Sequence, residues 1–346
     1  MVSDRALDLA ISQQIITEEQ ANRLRALDAT DSEADPERLR FVSGFGDLFV
    51  ALGVGLFLLP AGLIANRLAS PLVAWLTVAA LAWLLAEFFT RRRRVALPSI
   101  VLIIVFMGSS FAAASLVFGA AVAGAWPWLN IGEHPGSILA AALTTVALGA
   151  LHYLRFRVPI TVAAGAAALC FAVAAGARLE FPDLPASAFR ALIFACGVAV
   201  FLLAMRFDMS DLTRETRRTD IAFWLHLLAA PLIVHPLIGT IATGGASLDA
   251  GRAVVTLLAF LGLGALAVLI DRRALLVSGL AYAGFAMLAL IRQTSLTDLQ
   301  APITVLALGA FVLAISAFWR PLRGVLLRRL PPWLAERVPH PLVVST

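Results

Sequence analysis

Residues 219–240 read TDIAFWLHLLAAPLIVHPLIGT, a stretch that is long enough and apolar enough to cross a lipid bilayer. The hydrocarbon core of a bilayer is about 30 Å thick, and about twenty helical residues span it. The same stretch nevertheless contains polar residues and two prolines, namely Asp220, His226, Pro231, His235 and Pro236. It therefore predicts a membrane-spanning helix whose polar groups and missing backbone hydrogen bonds need an explanation.

The composition of the whole chain agrees with this prediction. Of its 346 residues, 60% are hydrophobic and 14% are charged, and the mean hydropathy is +0.90. Soluble domains have about a quarter charged residues. The apolar runs are rich in Ala and Leu and lack the alternation of a membrane β-barrel. These features predict an all-α fold, a polytopic transmembrane helix bundle.

Hydropathy predicts about ten membrane spans. They cover approximately residues 46–66, 71–89, 97–123, 136–154, 158–177, 187–206, 219–241, 252–270, 274–291 and 300–319. An even number of spans requires both ends of the chain to lie on the same side of the membrane.

The arginines predict which side that is. All 27 basic residues are arginine, and most lie in short loops beside the spans, so the pI of 10.4 does not indicate a nucleic-acid partner. Eighteen arginines flank the bundle on the side of the two termini, against five on the opposite side. Cytoplasmic loops of membrane proteins are enriched in Lys and Arg. The sequence therefore predicts cytoplasmic termini and a location in the bacterial inner (cytoplasmic) membrane.

Polar segments flank the predicted bundle. The chain divides into a cytoplasmic helical arm, the transmembrane bundle and a cytoplasmic or interfacial amphipathic tail, at residues 1–45, 46–319 and 320–346. In the arm, Thr17 and Gln20 form a predicted capping box, and Asp35–Pro36 begins a further helix. The tail mixes Arg with Leu and Trp, which is typical of a segment on the inner leaflet. The predicted partners are the lipid bilayer and, through the arm, a cytoplasmic protein.

A weak internal repeat relates two parts of the bundle. RRRVALPSIVLIIVF (92–106) and DRRALLVSGLAYAGF (271–285) both place an arginine pair and Ala-Leu before a span, and Asp47 opens span one as Asp220 opens span seven. The match would relate spans one to three with spans seven to nine, as a parallel repeat like that between the halves of some transporters. Coincidence between two common motifs is the alternative.

Several ionisable residues lie near the predicted cytoplasmic ends of spans. They are Asp47, Glu87, His152, Asp220 and Asp271. Because ionisable groups inside a bilayer cost a few kcal/mol each, we predict that these side chains reach the interface or pair with loop arginines. Glu87, for example, lies one turn from Arg91. Cys170 and Cys196 lie far apart in the sequence inside apolar segments and are predicted to be small core residues.

His226 is harder to place at an interface. It lies roughly 10 Å inside the membrane from Thr219, because a helix rises about 1.5 Å per residue. Pro231 cannot donate a backbone hydrogen bond to Leu227, and Pro236 cannot donate one to Leu232. Freed carbonyls are tolerated at membrane depth where neighbouring helices or water satisfy them.

Two interpretations of span seven follow. In the first, the span lines a central cavity in which His226 is a proton-responsive group, because imidazole titrates near neutral pH. The candidate residues of that site are Asp47, Asp220, His226, Pro231, His235 and Pro236. In the second, the span has a structural kink and His226 is hydrogen bonded to a neighbouring helix.

The sequence predicts neither an enzyme nor a cofactor or metal site. It contains no metalloprotease pair, nucleophile elbow or phosphate loop. The glycines of GLGALA (262–267) lie inside a predicted span, where they serve helix packing rather than dinucleotide binding.

Three stretches carry a resemblance to known sequences, namely IITEEQANRLRAL (15–27), FVSGFGDLFVALGVGLFLLPAGLI (41–64) and DIAFWLHLLAAPLIVHPL (220–237). With them the chain resembles a domain-of-unknown-function family of bacterial multi-pass membrane proteins that have a short cytoplasmic helical arm. The resemblance covers most of the chain and implies location and topology only. In outline the ten spans are also similar to drug/metabolite transporters, but those repeat as five plus five inverted helices, unlike the parallel match here.

Two classes of function remain. A secondary transporter or permease for a small solute is favoured by ten spans, a broken span seven and the repeat. A non-transporting scaffold or envelope regulatory component, with the arm binding a cytoplasmic partner, is the alternative. A water-accessible cavity between spans one and seven that reaches His226 would favour transport, and a solid bundle would favour the alternative.

Overall fold

The computed structural model describes residues 7, 10–23, 45–119, 133–211, 216–243, 250–269 and 299–329, with isolated positions between 280 and 291. Within these residues all regular structure is helical. The helices are α1 (Phe45–Leu68), α2 (Pro71–Ala86), α3 (Ala96–Val117), α4 (Pro135–Phe156), α5 (Ile160–Glu180), α6 (Ala186–Met209), α7 (Arg217–Thr243), α8 (Ala250–Leu269), α9 (Gln300–Ala317) and α10 (Trp319–Arg328). The predicted all-α fold is confirmed.

Seven helices of the described chain are long and apolar enough to cross a membrane. They are α1 to α7, and each corresponds to one of the first seven predicted spans. The apolar part of α8, Ala253–Leu269, is shorter. The predicted ninth span, 274–291, and the second copy of the predicted repeat, 271–285, lie largely outside the described residues.

Local signals in the sequence explain where helices begin. The hydroxyl of Ser70 accepts a hydrogen bond from the backbone N–H of Val73 at 3.3 Å, and Pro71 occupies the first position of α2. Both features are favourable at a helix N-terminus, because the first N–H groups have no partner inside the helix. At its other end α2 continues into a π-helical turn, Glu87–Arg92. This turn carries Glu87, Arg91 and Arg92.

From α1 to α8, helices that are consecutive in the sequence pack against each other, and α3 also contacts α1 and α5 while α5 contacts α7. Large side chains such as Leu102, Ile103, Ile138 and Leu225 fill the interior and are almost fully buried. Leucine and phenylalanine side chains also cover much of the outer surface, for example Leu56 and Leu202. An apolar exterior of this extent is typical of a surface in contact with lipid.

Three short connections lie at one end of the bundle, where α2 leads to α3, α4 to α5 and α6 to α7. We call this end the arginine end, because these connections and the helix ends beside them carry Arg91 to Arg94, Arg155, Arg157, Arg217 and Arg218. The connection from α6 to α7 is closed by Asp211, whose carboxylate accepts hydrogen bonds from the backbone of Thr216 and from the hydroxyls of Thr216 and Thr219 at 2.6–2.9 Å.

The two flanking segments are described in part. In the arm, Thr17 N–H donates to Gln20 Oε1 at 2.9 Å, and Gln20 N–H donates to Thr17 Oγ1 at 3.2 Å. The predicted capping box is therefore confirmed, whereas the helix predicted to start at Asp35–Pro36 lies outside the described residues. In the tail, α10 bends by 68° from the helix before it. Trp319 and Arg323 on α10 are buried, while Arg320 is exposed.

Candidate functional sites

The side chains of Asp208 and His226 form a buried pair between α6 and α7. His226 Nε2 lies 2.9 Å from Asp208 Oδ2, and both side chains are wholly inaccessible to solvent. An imidazole N–H that donates to a carboxylate is a strong hydrogen bond, because the acceptor carries a charge. Asp208 is next to the last residue of α6, and His226 lies in the third turn of α7.

Buried apolar side chains lie beside the histidine of this pair. The ring of Phe201 meets the imidazole edge-on, with 5.3 Å between the ring centroids. On the same helix as His226, Leu225, Ala229 and Ala230 are completely buried. In an apolar setting the loss of either polar partner is costly, because the group that remains has no water to bind.

Sequence patterns did not point to Asp208. It follows Arg206 and Phe207 at the predicted end of a span, where an acid is expected to lie in a polar loop. In the structure α6 continues to Met209, and the last helical turn brings Asp208 inside the bundle. Only the packing of α6 against α7 shows that this acid is the partner of His226.

The other candidate residues of span seven lie in different environments. Asp220 is half-buried and lines a cavity at the arginine end. Pro231 and His235 are exposed, and Pro236 is half-buried. Asp47, in the first turn of α1, is buried. The structure therefore brings His226 to Asp208 and does not gather the predicted candidates around one pocket.

The two prolines do not end α7, which runs without interruption from Arg217 to Thr243. Gly197 on α6 packs against the part of α7 between them. A methyl group built on Gly197 would lie 2.9 Å from the carbonyl carbon of Leu232 and from its Cβ. Pro236 has no N–H to donate to the Leu232 carbonyl. The close contact of Gly197 therefore lies where α7 lacks a backbone hydrogen bond.

His152 and Glu87 also have partners inside the bundle. His152, predicted near an interface, is buried instead, because the rings of Trp83, Phe106 and Phe156 enclose it with centroid distances of 4.5–5.6 Å. Glu87 pairs with Arg91 at 3.4 Å, as predicted, and more closely with Arg155. The Arg155 guanidinium donates to both carboxylate oxygens, Nε to Oε1 at 2.7 Å and a terminal nitrogen to Oε2 at 2.9 Å.

Cys170 on α5 and Cys196 on α6 are neighbours in space, and their thiols are within hydrogen-bonding reach. Both are half-buried and reduced. Their separation along the sequence did not indicate this proximity, and they are less buried than the small core residues that were predicted. No group of three or more His, Cys, Asp or Glu side chains in the described part of the chain is arranged to hold a metal ion.

A cavity of about 420 Å³ opens at the arginine end. Five arginines line it, Arg91, Arg94, Arg155, Arg157 and Arg217, together with Asp220. The rest of its wall is mainly apolar and includes Val95, Ile100, Phe156 and Trp224. We call it the arginine cavity.

Two of these arginines have an unusual backbone. Arg94 has φ = 55° and Arg157 has φ = 54°, both in the left-handed region. For a residue with a Cβ this conformation costs about 1–2 kcal/mol, and glycine is the usual residue at such helix ends. Both strained residues line the arginine cavity.

Seven apolar helices of membrane-spanning length define the class: the chain is a multi-pass membrane protein. Comparison with known proteins adds no closer identity, since no protein-family model, curated protein or solved structure matches the chain.

Proposed function

We propose that this protein is a non-transporting component of a bacterial inner membrane, a scaffold or regulatory protein that acts through its cytoplasmic arm and its arginine end. The observation that carries the proposal is the Asp208–His226 pair, in which both side chains are fully buried. A histidine in a transport pathway needs access to water at some stage. Here the imidazole is part of a packed core.

Other ionisable groups of the spans support this proposal. Glu87 is held by Arg155 from another helix, and His152 is enclosed by aromatic rings. Each is satisfied within the protein, which is typical of groups that fix helix positions. Intramembrane charges in transport pathways face a water-filled cavity or a substrate instead.

The proposed topology has about ten spans, with both termini in the cytoplasm. Its support is the gathering of three arginine-rich connections at one end of the bundle, since such connections remain on the cytoplasmic side. The same topology places residues 1–45 where a cytoplasmic protein could bind them, and it places the tail, 320–346, at the inner leaflet. Membership of the domain-of-unknown-function family described above is part of the proposal.

Secondary transport of a small solute is the second candidate, and one observation favours it. An acid paired with a histidine at membrane depth is a common element of proton relays in pumps and transporters. In that case Asp208 and His226 would exchange protons with water in another conformation, and α7, which lacks two backbone hydrogen bonds, would be the moving element.

Two variants distinguish the two candidate functions. Each is expressed in a strain that lacks the native gene, and the growth of that strain is compared with the growth of its parent in competition, over a range of pH and osmolarity. The first deletes residues 1–34 and keeps Arg38 and Arg40, so that span one retains its orientation signal. The second combines Asp208→Asn with His226→Gln, which keeps two polar groups that can hydrogen bond but removes both titratable ones.

If the protein is a scaffold or regulatory protein, the deletion variant should fail to restore growth of the strain that lacks the gene, whereas the variant with Asp208→Asn and His226→Gln (the neutral pair) should restore it. A proton-coupled transporter should give the opposite result. Membrane levels of both variants, measured by immunoblot, show whether each is inserted. Loss of the growth effect with an inserted neutral pair and retention with the deletion would overturn the proposal.

A further inference from the structure

The arginine cavity carries more positive charge than the acidic side chains of the described residues balance. Glu87 pairs with Arg91 and Arg155, so two of the five lining arginines share one acid. Arg94, Arg157 and Arg217 make no ion pair or side-chain hydrogen bond within the described part of the chain. Asp220 is the acid of the wall. The arginines that line this open cavity therefore outnumber its acidic side chains.

Three helices also begin at this cavity. Their first residues, Ala96 of α3, Ile160 of α5 and Arg217 of α7, all line it. A helix N-terminus has a partial positive charge and unpaired N–H groups, and it favours anions. No side chain caps α3 or α5. The ends of α3 and α5 thus add to the field of the arginines, whereas α7 has Asp220 in its first turn and its Arg218 N–H donates to the hydroxyl of Thr216.

The backbone is strained at two residues of the cavity wall, although a glycine at either position would remove the strain. Glycine at 94 or 157 would adopt a positive φ without a steric penalty. Arginine is present at both, with φ of 55° and 54°, and both side chains belong to the cavity wall. Strain of this kind is concentrated at functional sites, where the surrounding structure imposes it.

We propose that the arginine cavity binds a phosphate group. Arginine has planar, paired N–H donors that match phosphate oxygens, and the cavity combines several such donors with helix N-termini. Its volume of about 420 Å³ exceeds what a phosphate ion needs, and apolar residues such as Ile100, Phe156 and Trp224 form part of its wall. The ligand is therefore a phosphate joined to an apolar group. An anionic phospholipid headgroup and a free phosphorylated solute share this chemistry.

This inference does not depend on the proposed function, because a phosphate site would serve a scaffold and a transporter equally. Basic pockets between membrane helices on the cytoplasmic side are suited to lipid headgroups. At the arginine end such a site would tie the connections α2–α3 and α4–α5 and the start of α7 to one ligand.

The test uses the purified full chain in a neutral detergent, and thermal unfolding reports binding, because a ligand that binds the folded state raises Tm. The probes are dihexanoyl phosphatidylglycerol, dihexanoyl phosphatidylcholine and inorganic phosphate, each at the same ionic strength. We expect phosphatidylglycerol to raise Tm in a saturable way and phosphatidylcholine to have no such effect. If inorganic phosphate binds as tightly as phosphatidylglycerol, the phosphate site stands but the inference that its ligand carries an apolar group is overturned.

The decisive variant combines Arg94→Gln with Arg157→Gln. Its apparent Kd for the binding probe should rise about tenfold or more, the effect of losing at least one charge-assisted hydrogen bond. The matched control combines Arg92→Gln with Arg218→Gln, which removes the same charge from the same end at positions outside the cavity wall. Its Kd should change far less.

A second pair guards against a folding effect. Arg94→Gly with Arg157→Gly removes the same two guanidinium groups but relieves the backbone strain, so its unliganded Tm should be equal to or above that of the native chain. It should nevertheless lose binding. The proposal is overturned if neither phosphate probe raises Tm beyond the matched salt, or if the control pair loses binding as strongly as the cavity pair.

Discussion

Gly197 of α6 lies against the backbone of Leu232 in α7, so closely that a methyl group on Gly197 would be 2.9 Å from the Leu232 carbonyl carbon. Backbone atoms cannot move aside as a flexible side chain can. We therefore expect Gly197→Ala to push α6 from α7 and to lower the free energy of unfolding by about 1–3 kcal/mol. Denaturant unfolding in detergent micelles measures this change.

Gly165→Ala in α5 is the matched control, because a Cβ at Gly165 would meet no atom within 4 Å. Alanine is a better helix former than glycine by up to about 1 kcal/mol, so this change should leave stability equal or raise it. Equal stability for the two variants would show that the α6–α7 contact tolerates a wider separation.

The Asp208–His226 pair gives a second prediction. Asp208→Ala leaves the buried His226 without its carboxylate partner, and breaking a buried pair in this way costs about 3–5 kcal/mol. Asp208→Asn retains an acceptor for the imidazole N–H, and we expect a smaller loss of about 1–3 kcal/mol. Thermal and denaturant unfolding of both variants provides the measurement.

A double-mutant cycle with His226→Ala tests whether the two residues act together. Because they share one hydrogen bond, the double variant should be clearly less destabilised than the sum of the single variants. If the losses of stability in the two single variants add up to the loss in the double variant, the interaction between Asp208 and His226 contributes nothing to stability. The main support for a non-transporting protein with a static core would then be removed.

The prolines of α7 give a third prediction. Pro231 is exposed and lies inside a continuous helix. Pro231→Ala supplies an N–H that can donate to the Leu227 carbonyl, and the removal of an internal proline should raise stability by about 1–3 kcal/mol. Pro236→Ala should help less, because a new bond to the Leu232 carbonyl would adjust the backbone that packs on Gly197. The difference in Tm between the two variants is the measurement, and equal gains would contradict it.

Hydropathy and the positions of arginine were sufficient to predict the first seven helices to within a few residues at most ends. They succeed because a bilayer requires a long apolar helix for each crossing. The capping box of Thr17 and Gln20 was equally accessible, since it depends on residues three apart in the sequence. Each of these features depends on residues that are close together in the sequence, and the sequence pattern is therefore enough to predict it.

The sites could not be predicted in the same way, because each depends on residues that only packing brings together. Asp208 is a loop acid by its sequence position and a buried partner of His226 in the folded chain. Arg94, Arg157 and Arg217 come from three separate connections and meet at one cavity. The left-handed backbone at Arg94 and Arg157 could not be predicted from the sequence, because glycine and asparagine are the residues that usually indicate this conformation.

The last prediction concerns topology. Asp183, in the connection from α5 to α6, and Ser210, at the end of α6, are both exposed and lie at opposite ends of one membrane helix. Asp211 would be a poor position for a label, because its carboxylate closes the turn to α7. Asp183→Cys and Ser210→Cys are therefore introduced separately into a chain in which Cys170 and Cys196 are replaced by alanine.

In intact cells whose outer membrane has been made permeable, a membrane-impermeant maleimide should label the variant at position 183 and not the variant at 210. The reason is that the arginine end remains in the cytoplasm, where positively charged connections are retained. After the inner membrane is opened with detergent, both should react, which shows that each thiol is accessible. Labelling at 210 and protection at 183 in intact cells would invert the bundle. The arginine cavity and the arm would then face the periplasm, and a cytoplasmic partner for the arm would be ruled out.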